Sequence, residues 1–268
     1  MAVTSQRRVA FRNAPDVAIF MGIFSALAFG TLWTVHQQRY DWQRPRLWRY
    51  LYIEHDGVFY AGPLLRGLFT TIEISAYGIV ISAIAGFFIA MMQASKLVSA
   101  RAIARTFIEV VRNIPILVLL FLIYFVLAPV FDLSRFWAGV ATLAIYEAAF
   151  AAEIYRAGIE AVPRGQKEAA RSIGLRPYQV MAYVVIPQSI PFILPAMTNL
   201  MINLIKHSAI VSVIAIFDLT NEGRNVIAET FMVFEVWFAV AALYLIVPTL
   251  LSLVSSVIEK RTKRFYSR

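Results

Sequence analysis

The sequence predicts an all-α integral membrane protein with about six transmembrane helices, and three observations support this fold class. Hydrophobic residues make up 60% of the 268 residues, and the mean hydropathy is +0.68. Charged residues make up only 15%, whereas a soluble domain carries about a quarter. Apolar segments close to the roughly 20 residues that cross the hydrocarbon layer recur along the chain. A chain of this length cannot bury so much apolar surface in one aqueous core, so we expect lipid to be its solvent.

Six apolar segments are the predicted spans: 17–35, 66–93, 113–131, 136–155, 190–217 and 232–258. No small-x-small cleavage site follows the first segment, so we interpret it as a retained helix and not as a signal peptide. The third and fourth spans are separated by a few residues only and predict a helical hairpin. The predicted division is therefore a first part with a terminal tail, one span and an external loop, then a transmembrane domain, then a basic tail, at residues 1–63, 64–258 and 259–268.

The distribution of Lys and Arg predicts the orientation, because short cytoplasmic loops carry an excess of both. Placing the N-terminus in the cytoplasm puts most of the 25 Lys and Arg residues on the cytoplasmic side. Both termini are then cytoplasmic. An Arg group in the external loop opposes this bias: Arg39, Arg44, Arg46 and Arg49. Contact with an external partner protein and contact with lipid headgroups both remain open, and Trp and Tyr of the same loop suit the headgroup level.

A polar, helix-forming stretch at residues 164–174 interrupts the apolar pattern between the fourth and fifth spans. Glu168 lies four residues after Arg164 and three before Arg171, so the three side chains can pair on one helical face. Gly174 suits a left-handed helix end, and Pro177 suits the start of the next helix. The local pattern predicts a short helix, a tight turn and a second helix. Amphipathicity alone favours a solvated loop helix.

The spacing of Glu168, Ala169, Ala170, Gly174 and Pro187 resembles the EAA loop of bacterial ATP-binding-cassette importer permeases. Val184 and Ile186 stand where that family usually has Ile and Leu. Further segments resemble the polar amino acid branch, of the histidine/glutamine/glutamate type, over roughly residues 62–258. The matching segments are 67–75, 109–117, 149–159, 187–188, 195–199 and 230–235.

The resemblance implies a type I importer-like fold with a five-helix permease core after one N-terminal span. It implies a coupling loop, 157–190, that docks on a cytoplasmic ATPase through Gly165, Glu168, Ala169, Ala170, Gly174 and Pro187. The implied partners are two ATPase subunits, a second permease (identical or different), an external solute-binding protein and the lipid bilayer of a bacterial inner membrane. ATP and Mg would be bound by the ATPase, so no cofactor, metal or catalytic residue is expected in this chain.

Polar residues inside predicted spans are costly and are therefore functional candidates. The substrate-pathway candidates are Glu73, Glu147, Asn199, Asn203, Lys206, His207 and Ser208. Asn199, Asn203 and Lys206 share one helical face at i, i+4 and i+7. Two alternatives remain open, an internal pair of Lys206 with Glu147 or Glu73 and a hydrogen-bonded interface role for His207. Nearer the cytoplasmic ends, salt bridges that brace the coupling loop are expected among Glu109, Arg112, Glu153 and Arg156.

The resemblance also bears on the solute, because the branch often reads L-L-K-D-T-S-L where this chain has 204–210. His207 replaces the acidic residue of that pattern, so an acidic or neutral polar amino acid is favoured over a cationic one.

Several classes are excluded or disfavoured by what the sequence lacks. There is no Walker-type glycine loop, no H-E-x-x-H pair and no cysteine, and the three His are scattered. The net charge of +9 is explained by topology and not by nucleic acid binding. Two alternatives to an importer permease stay open: a self-sufficient ion-coupled carrier using Glu73, Glu147 and Lys206, and a non-transporting membrane scaffold.

Overall fold

The computed structural model describes residues 14–37, 42–55 and 57–266, and the chain divides into two units at residues 1–43 and 44–268. The first unit contains α1 (Ala14–Gln37), a helix of 24 residues that confirms the helix predicted at 17–35. At 1.5 Å per residue it is about 36 Å long, enough to cross a bilayer, and its crossing stays a prediction. The basic residues Arg7, Arg8, Arg12, Arg39 and Arg268 lie outside the described residues.

The second unit begins with a feature that the all-α prediction did not include. After α2 (Arg44–Leu51), strands β1 (Tyr52–His55) and β2 (Val58–Ala61) form an antiparallel hairpin in which Tyr52 pairs with Ala61. Aromatic and β-branched residues favour this extended conformation. Gly57 supplies the positive φ, +73°, that its tight turn requires.

The rest of the second unit is helical. Its elements are α3 (Pro63–Gln93), α4 (Val98–Asn113), α5 (Ile116–Phe121), a π-helical segment (Leu122–Leu127), α6 (Ala128–Val130), α7 (Arg135–Glu160), α8 (Arg164–Ser172), α9 (Pro177–Gln179), a second π-helical segment (Val180–Val185), α10 (Ile186–His207), a 3₁₀ segment (Ser208–Ile214), α11 (Leu219–Thr230) and α12 (Val233–Tyr266). Among the described residues of the second unit, four stretches are long and apolar enough to cross a membrane: Pro63–Gln93, Arg135–Glu160, Pro177–Ile214 and Val233–Ile258. A bent pair counts as a fifth when it is taken as one broken span, which gives the predicted five-helix core.

That bent pair corrects the span predicted at 113–131. Val98–Asn113 and Ile116–Val130 meet at an angle of 109°. Pro115 has no N–H and disfavours helical geometry at the residue before it, and Ile114 is extended with ψ 130°. The chain therefore turns sharply where the hydropathy pattern reads as continuous.

The start of the fifth span differs from the predicted one. The fifth span begins at Pro177, as its N-terminal proline predicts, and continues through a π-helical segment past Pro187 rather than starting near residue 190. The last span, Val233–Ile258, agrees with the one predicted at 232–258, and its helix continues to Tyr266. Helix-forming residues continue beyond the apolar segment, and hydropathy alone does not mark where such a helix stops.

Small residues along α3 form its contact with α7. Ser75, Gly78, Ser82 and Gly86 are all buried. A Cβ at Gly86 would lie 2.5 Å from the Cβ of Ala151 on α7, so the two backbones approach closely there. This small-residue face belongs to the core of the chain and is not a surface left for a second copy.

We expect Gly86→Ala to destabilise the protein and Gly78→Ala to be tolerated. At Gly86 the added methyl meets Ala151 and backbone atoms of Ala148 and Ala152, and overpacking of this kind costs about 1–3 kcal/mol. At Gly78 it meets the ends of the Leu204 side chain at 3.4 Å and the Cβ of Leu143 at 3.5 Å, which are ordinary van der Waals distances. The melting temperature and the monodisperse yield in detergent would measure the difference. Equal behaviour of the two variants would contradict the close α3–α7 contact.

A buried carboxylate organises the end of the bundle that carries the hairpin. Asp218 is fully buried and caps α11, accepting from the backbone N–H of Asn221 (3.0 Å) and of Thr220 (3.2 Å). The Tyr244 hydroxyl donates to its Oδ2 at 3.3 Å. Burial raises the pKa of Asp218, and these hydrogen bonds only partly oppose that shift.

This shift makes the stability of the fold depend on pH. Because the pKa of Asp218 is higher in the folded than in the unfolded chain, its contribution is full below the ordinary Asp range and is lost as pH rises through the folded value. We expect Asp218→Asn, which keeps an acceptor but does not titrate, to remove this part of the pH dependence. The melting temperature between pH 4 and pH 8 would measure it, with the exposed Asp132→Asn as control. A parallel profile for Asp218→Asn and the unsubstituted chain would count against this assignment.

Candidate functional site

The polar residues predicted for a substrate pathway come together between α7 and α10, two helices that pack against each other. Glu147 on α7 is only 3% exposed, and its Oε1 lies 2.8 Å from Nδ1 of His207, the last residue of α10. A carboxylate buried in a membrane span requires such a partner, because an unpaired charge there is costly. His207 therefore fixes the position of Glu147 and ties the end of α10 to the middle of α7.

A cavity of about 200 Å³ lies beside this pair, and four of the seven predicted pathway residues line it. The lining residues are Tyr146, Glu147, Phe150, Ile154, Ala196, Asn199, Leu200, Asn203 and His207. The Tyr146 ring meets the His207 ring edge to face, with centroids 5.8 Å apart. Two amides, a carboxylate and an imidazole thus face an aromatic and aliphatic wall, a combination typical of sites for small polar molecules.

The structure separates the other three predicted pathway residues from this cavity. Glu73 on α3 and Lys206 on α10 are exposed and line none of it. Ser208 is fully buried, and its hydroxyl donates to the carbonyl oxygen of Ile205 at 2.7 Å, so it belongs to the helix end.

The alternative pairs of Lys206 are likewise not found. Glu147 pairs with His207, and within the described part of the chain no carboxylate lies within salt-bridge distance of Lys206. Asn199, Asn203 and Lys206 are all exposed, as expected for one shared face of α10.

Sequence reasoning missed the aromatic and aliphatic wall of the cavity. Tyr146, Phe150 and Ile154 recur every four residues and lie on the face of α7 that also carries Glu147. This four-residue spacing of large apolar side chains beside Glu147 was the signal in the sequence from which the wall could have been predicted.

The same wall leads toward the α8 end of the bundle. A second cavity of about 430 Å³ shares Phe150, Ile154 and Ala196 with the first. It also reaches Arg112, whose guanidinium lies 5.4 Å from the centre of the Phe150 ring. The two cavities together run along α7 from the Glu147–His207 pair to the bundle end where α8 lies.

An ion-pair cluster fixes α7 at that end. Arg156 contacts Glu153 at 2.7 Å and Glu160 at 2.8 Å, and Gln93 of α3 donates to Glu153 Oε1 at 3.1 Å. Of the salt bridges expected among Glu109, Arg112, Glu153 and Arg156, the structure contains Glu153–Arg156, which lies within α7, and Arg112 stacks on Phe150. Lys167 of α8 donates to the carbonyl oxygen of Ile159 at 3.2 Å and so joins α8 to the last turn of α7.

The predicted short helix and tight turn are present as α8 and Gly174. Ala170 is buried with Val162, Val180 and Val185, so it faces inward and anchors the helix. Gly174 has φ +87°, and its N–H donates to the carbonyl oxygen of Arg171 at 2.9 Å, which ends α8 in the left-handed conformation.

The outward side of α8 carries most of the other predicted coupling residues. Gly165, Glu168, Ala169 and Gly174 are exposed, and Pro187 is half-buried. Ile173, 79% exposed beside them, was missed, although an isoleucine in a polar stretch is a visible signal. The result is a small, polar projection with one apolar tip, held rigidly from behind by Ala170 and Lys167.

Comparison with known proteins agrees with this architecture. Residues 78–264 match the family model described as binding-protein-dependent transport system inner membrane component. The chain is 36% identical over 203 residues to the probable glutamine ABC transporter permease protein GlnM of Bacillus subtilis, covering 75% of this chain and 94% of that protein. It is 33% identical over 203 residues to the glutamine transport system permease protein GlnP of Escherichia coli K12, covering 75% and 93%.

Two solved structures are similar as well. A crystal structure of an amino acid ABC transporter with histidines aligns with a TM-score of 0.70 and 41% identity, covering 74% of this chain and 94% of that one. The inward-facing MetNI methionine ABC transporter aligns with a TM-score of 0.63 over 74% and 95%, and at 21% identity this likeness concerns the fold alone. The fold is that of type I ABC importer permeases, as the sequence predicted.

Proposed function

The chain belongs to the family of binding-protein-dependent transport system inner membrane components, and on that premise we propose that it is the permease subunit of an ATP-driven importer of a polar amino acid. The observation that carries this proposal is the combination of a cavity between α7 and α10, lined in part by a carboxylate, an imidazole and two amides, with an exposed, rigidly held helix at one end of the bundle. The first suits a solute, and the second suits a separate motor protein.

The coupling role rests on the shape and support of α8. Gly165, Glu168 and Ala169 are exposed, and two of them have small side chains or none. The outward side of α8 is therefore narrow enough to enter a groove of an ATPase. Because Ala170 packs into the bundle and Lys167 binds the end of α7, a push on α8 is transmitted to α7. Glu147 lies on that same helix, so the motor surface and the cavity share one rigid element.

The solute preference rests on the Glu147–His207 pair. A carboxylate already bound to an imidazole is less available to a cationic side chain than a free one. Asn199 and Asn203 each offer a donor and an acceptor, which suit an amide or carboxylate side chain. Relatives named as glutamine permeases agree with this preference, and an acidic or neutral polar amino acid is therefore the proposed solute. The second permease, two ATPase subunits and an external binding protein complete the proposed complex in the inner membrane.

Reconstitution tests the proposal. The chain, co-expressed with a candidate ATPase and a candidate external binding protein from the same organism, is placed in proteoliposomes, and uptake of radiolabelled glutamine, glutamate and arginine is measured. We expect uptake of glutamine or glutamate that requires ATP, with arginine a poor competitor. Uptake by the chain alone, driven by a proton or sodium gradient, would favour the ion-coupled carrier and overturn the proposal.

A further inference from the structure

The element formed by α2 and the hairpin, residues 44–61, is not explained by the proposed function. We call it the collar. It precedes residues 78–264, which match the family model. Its last strand ends at Ala61, and Gly62 alone separates that strand from Pro63, the first residue of a membrane span. The collar therefore lies at the height where that span leaves the membrane.

The collar is fixed firmly to the bundle. Leu47, Tyr50 and Leu51 pack against a buried cluster that contains Leu64 of α3 and Met232 at the start of α12. The N–H of Gly62 donates to the carbonyl oxygen of Leu51 at 2.7 Å. A side chain at Gly62 would collide with the backbone of Tyr50, so α2 and the first turn of α3 are in direct contact. The collar cannot move away from the span without breaking this contact.

The outer face of the collar is aromatic. Trp48, Tyr52 and Phe59 are 65%, 52% and 69% exposed. They surround an open cradle of about 690 Å³ to which Arg49 and Glu54 also contribute. Trp and Tyr combine an apolar ring with a polar group and are enriched where hydrocarbon meets water. An arginine at that level can bind a lipid phosphate through paired hydrogen bonds.

The surroundings favour a membrane over a protein partner. Phe69 on α3 and Phe238 on α12 are 62% and 65% exposed in the same two spans that carry the collar, so its outer face adjoins surface that suits lipid. Arg49 and Glu54 are the two charged side chains that line the cradle, one of each sign, so the cradle carries no concentration of like charge that would select a charged protein surface. Exposed aromatic area is the dominant property that remains.

We propose that the collar is an interfacial anchor, in which Trp48, Tyr52 and Phe59 insert into the lipid headgroup layer at the hairpin end of the bundle. There Arg49 meets lipid phosphate, and the rigid Gly62 contact sets the depth of α3. Of the two open interpretations of the Arg-rich loop, the structure thus favours headgroup contact.

Spin labelling measures this depth without any transport assay, so its outcome is independent of the proposed function. The chain has no cysteine, and Phe59→Cys or Tyr52→Cys can each carry a single nitroxide in nanodiscs of phosphatidylcholine and phosphatidylglycerol. Leu245→Cys, 69% exposed in the last span, and Lys96→Cys, in the turn after α3, give the lipid and water references. Accessibility to oxygen relative to a water-soluble nickel complex is compared among the four sites.

For both collar labels we expect a ratio of oxygen to nickel accessibility between those of Leu245→Cys and Lys96→Cys. Their nickel accessibility should be several-fold lower than that of Lys96→Cys. Labels that match Lys96→Cys at both sites would overturn the anchor. Labels that read as aqueous until the external binding protein is added, and are then shielded, would also overturn it and identify a protein docking surface. Phe59→Cys and Tyr52→Cys alter only exposed side chains, and agreement between them guards against a local distortion at either site.

Discussion

Glu168→Lys is expected to reduce ATP-driven uptake by roughly 100-fold while leaving membrane insertion and folding intact. Glu168 is exposed at the middle of α8, and none of the contacts that hold α8 to the bundle uses its side chain. If α8 docks on the ATPase as proposed, the reversed charge acts at that interface, where an unfavourable charge contact costs several kcal/mol. If α8 does not bind the ATPase, the conformational change of the ATPase is not transmitted to the permease.

The measurement compares ATP hydrolysis with solute uptake in the same proteoliposomes. Loss of uptake with normal yield and melting temperature is the expected combination. Lys96→Glu is the matched control, since it reverses an exposed charge at the same end of the bundle but outside α8. If Glu168→Lys transports normally, α8 is not the site at which the motor acts.

Glu147→Ala is expected to reduce uptake by roughly 10- to 100-fold, and Glu147→Gln by less. Removal of the carboxylate leaves His207 without its partner and opens the cavity wall. Loss of a hydrogen bond to a charged group costs about 1.5–3 kcal/mol, which corresponds to that range. Gln retains an acceptor for the imidazole N–H.

Thr142→Val on the same helix is the control for this substitution. Thr142 is fully buried, and its hydroxyl bonds only to the carbonyl oxygen of Ala138 in its own helix. We expect Thr142→Val to transport normally. Equal losses for Glu147→Ala and Thr142→Val would indicate damage to packing rather than to the solute site.

The outline of the bundle followed from the sequence because span length and hydropathy are local properties. The break at Pro115 did not, because apolar residues continue on both sides of it and only the proline marks the turn. The hairpin was missed for a related reason. Two strands of four residues among Trp, Tyr and Arg carry no alternation long enough to distinguish them from an interfacial loop.

The candidate site was predictable in part: the sequence indicates which residues share a helix face but not which side chains of two helices are in contact. Helical spacing placed Asn199 and Asn203 on one face correctly, since it depends only on residue numbers. The partner of Glu147 depends on how α7 crosses α10, which no periodicity contains. For that reason the sequence offered Lys206 as the alternative partner of Glu147, whereas in the structure His207 meets the carboxylate.

The bend at Pro115 has a consequence for synthesis. The apolar part beyond it, Ile116–Val130, has 15 residues and measures about 22 Å as a helix, short of the hydrocarbon thickness. Such a segment is poorly retained by itself when it leaves the translocation channel. The next span, Arg135–Glu160, follows after four residues, so we expect the two to enter the bilayer together as a helical hairpin during translation.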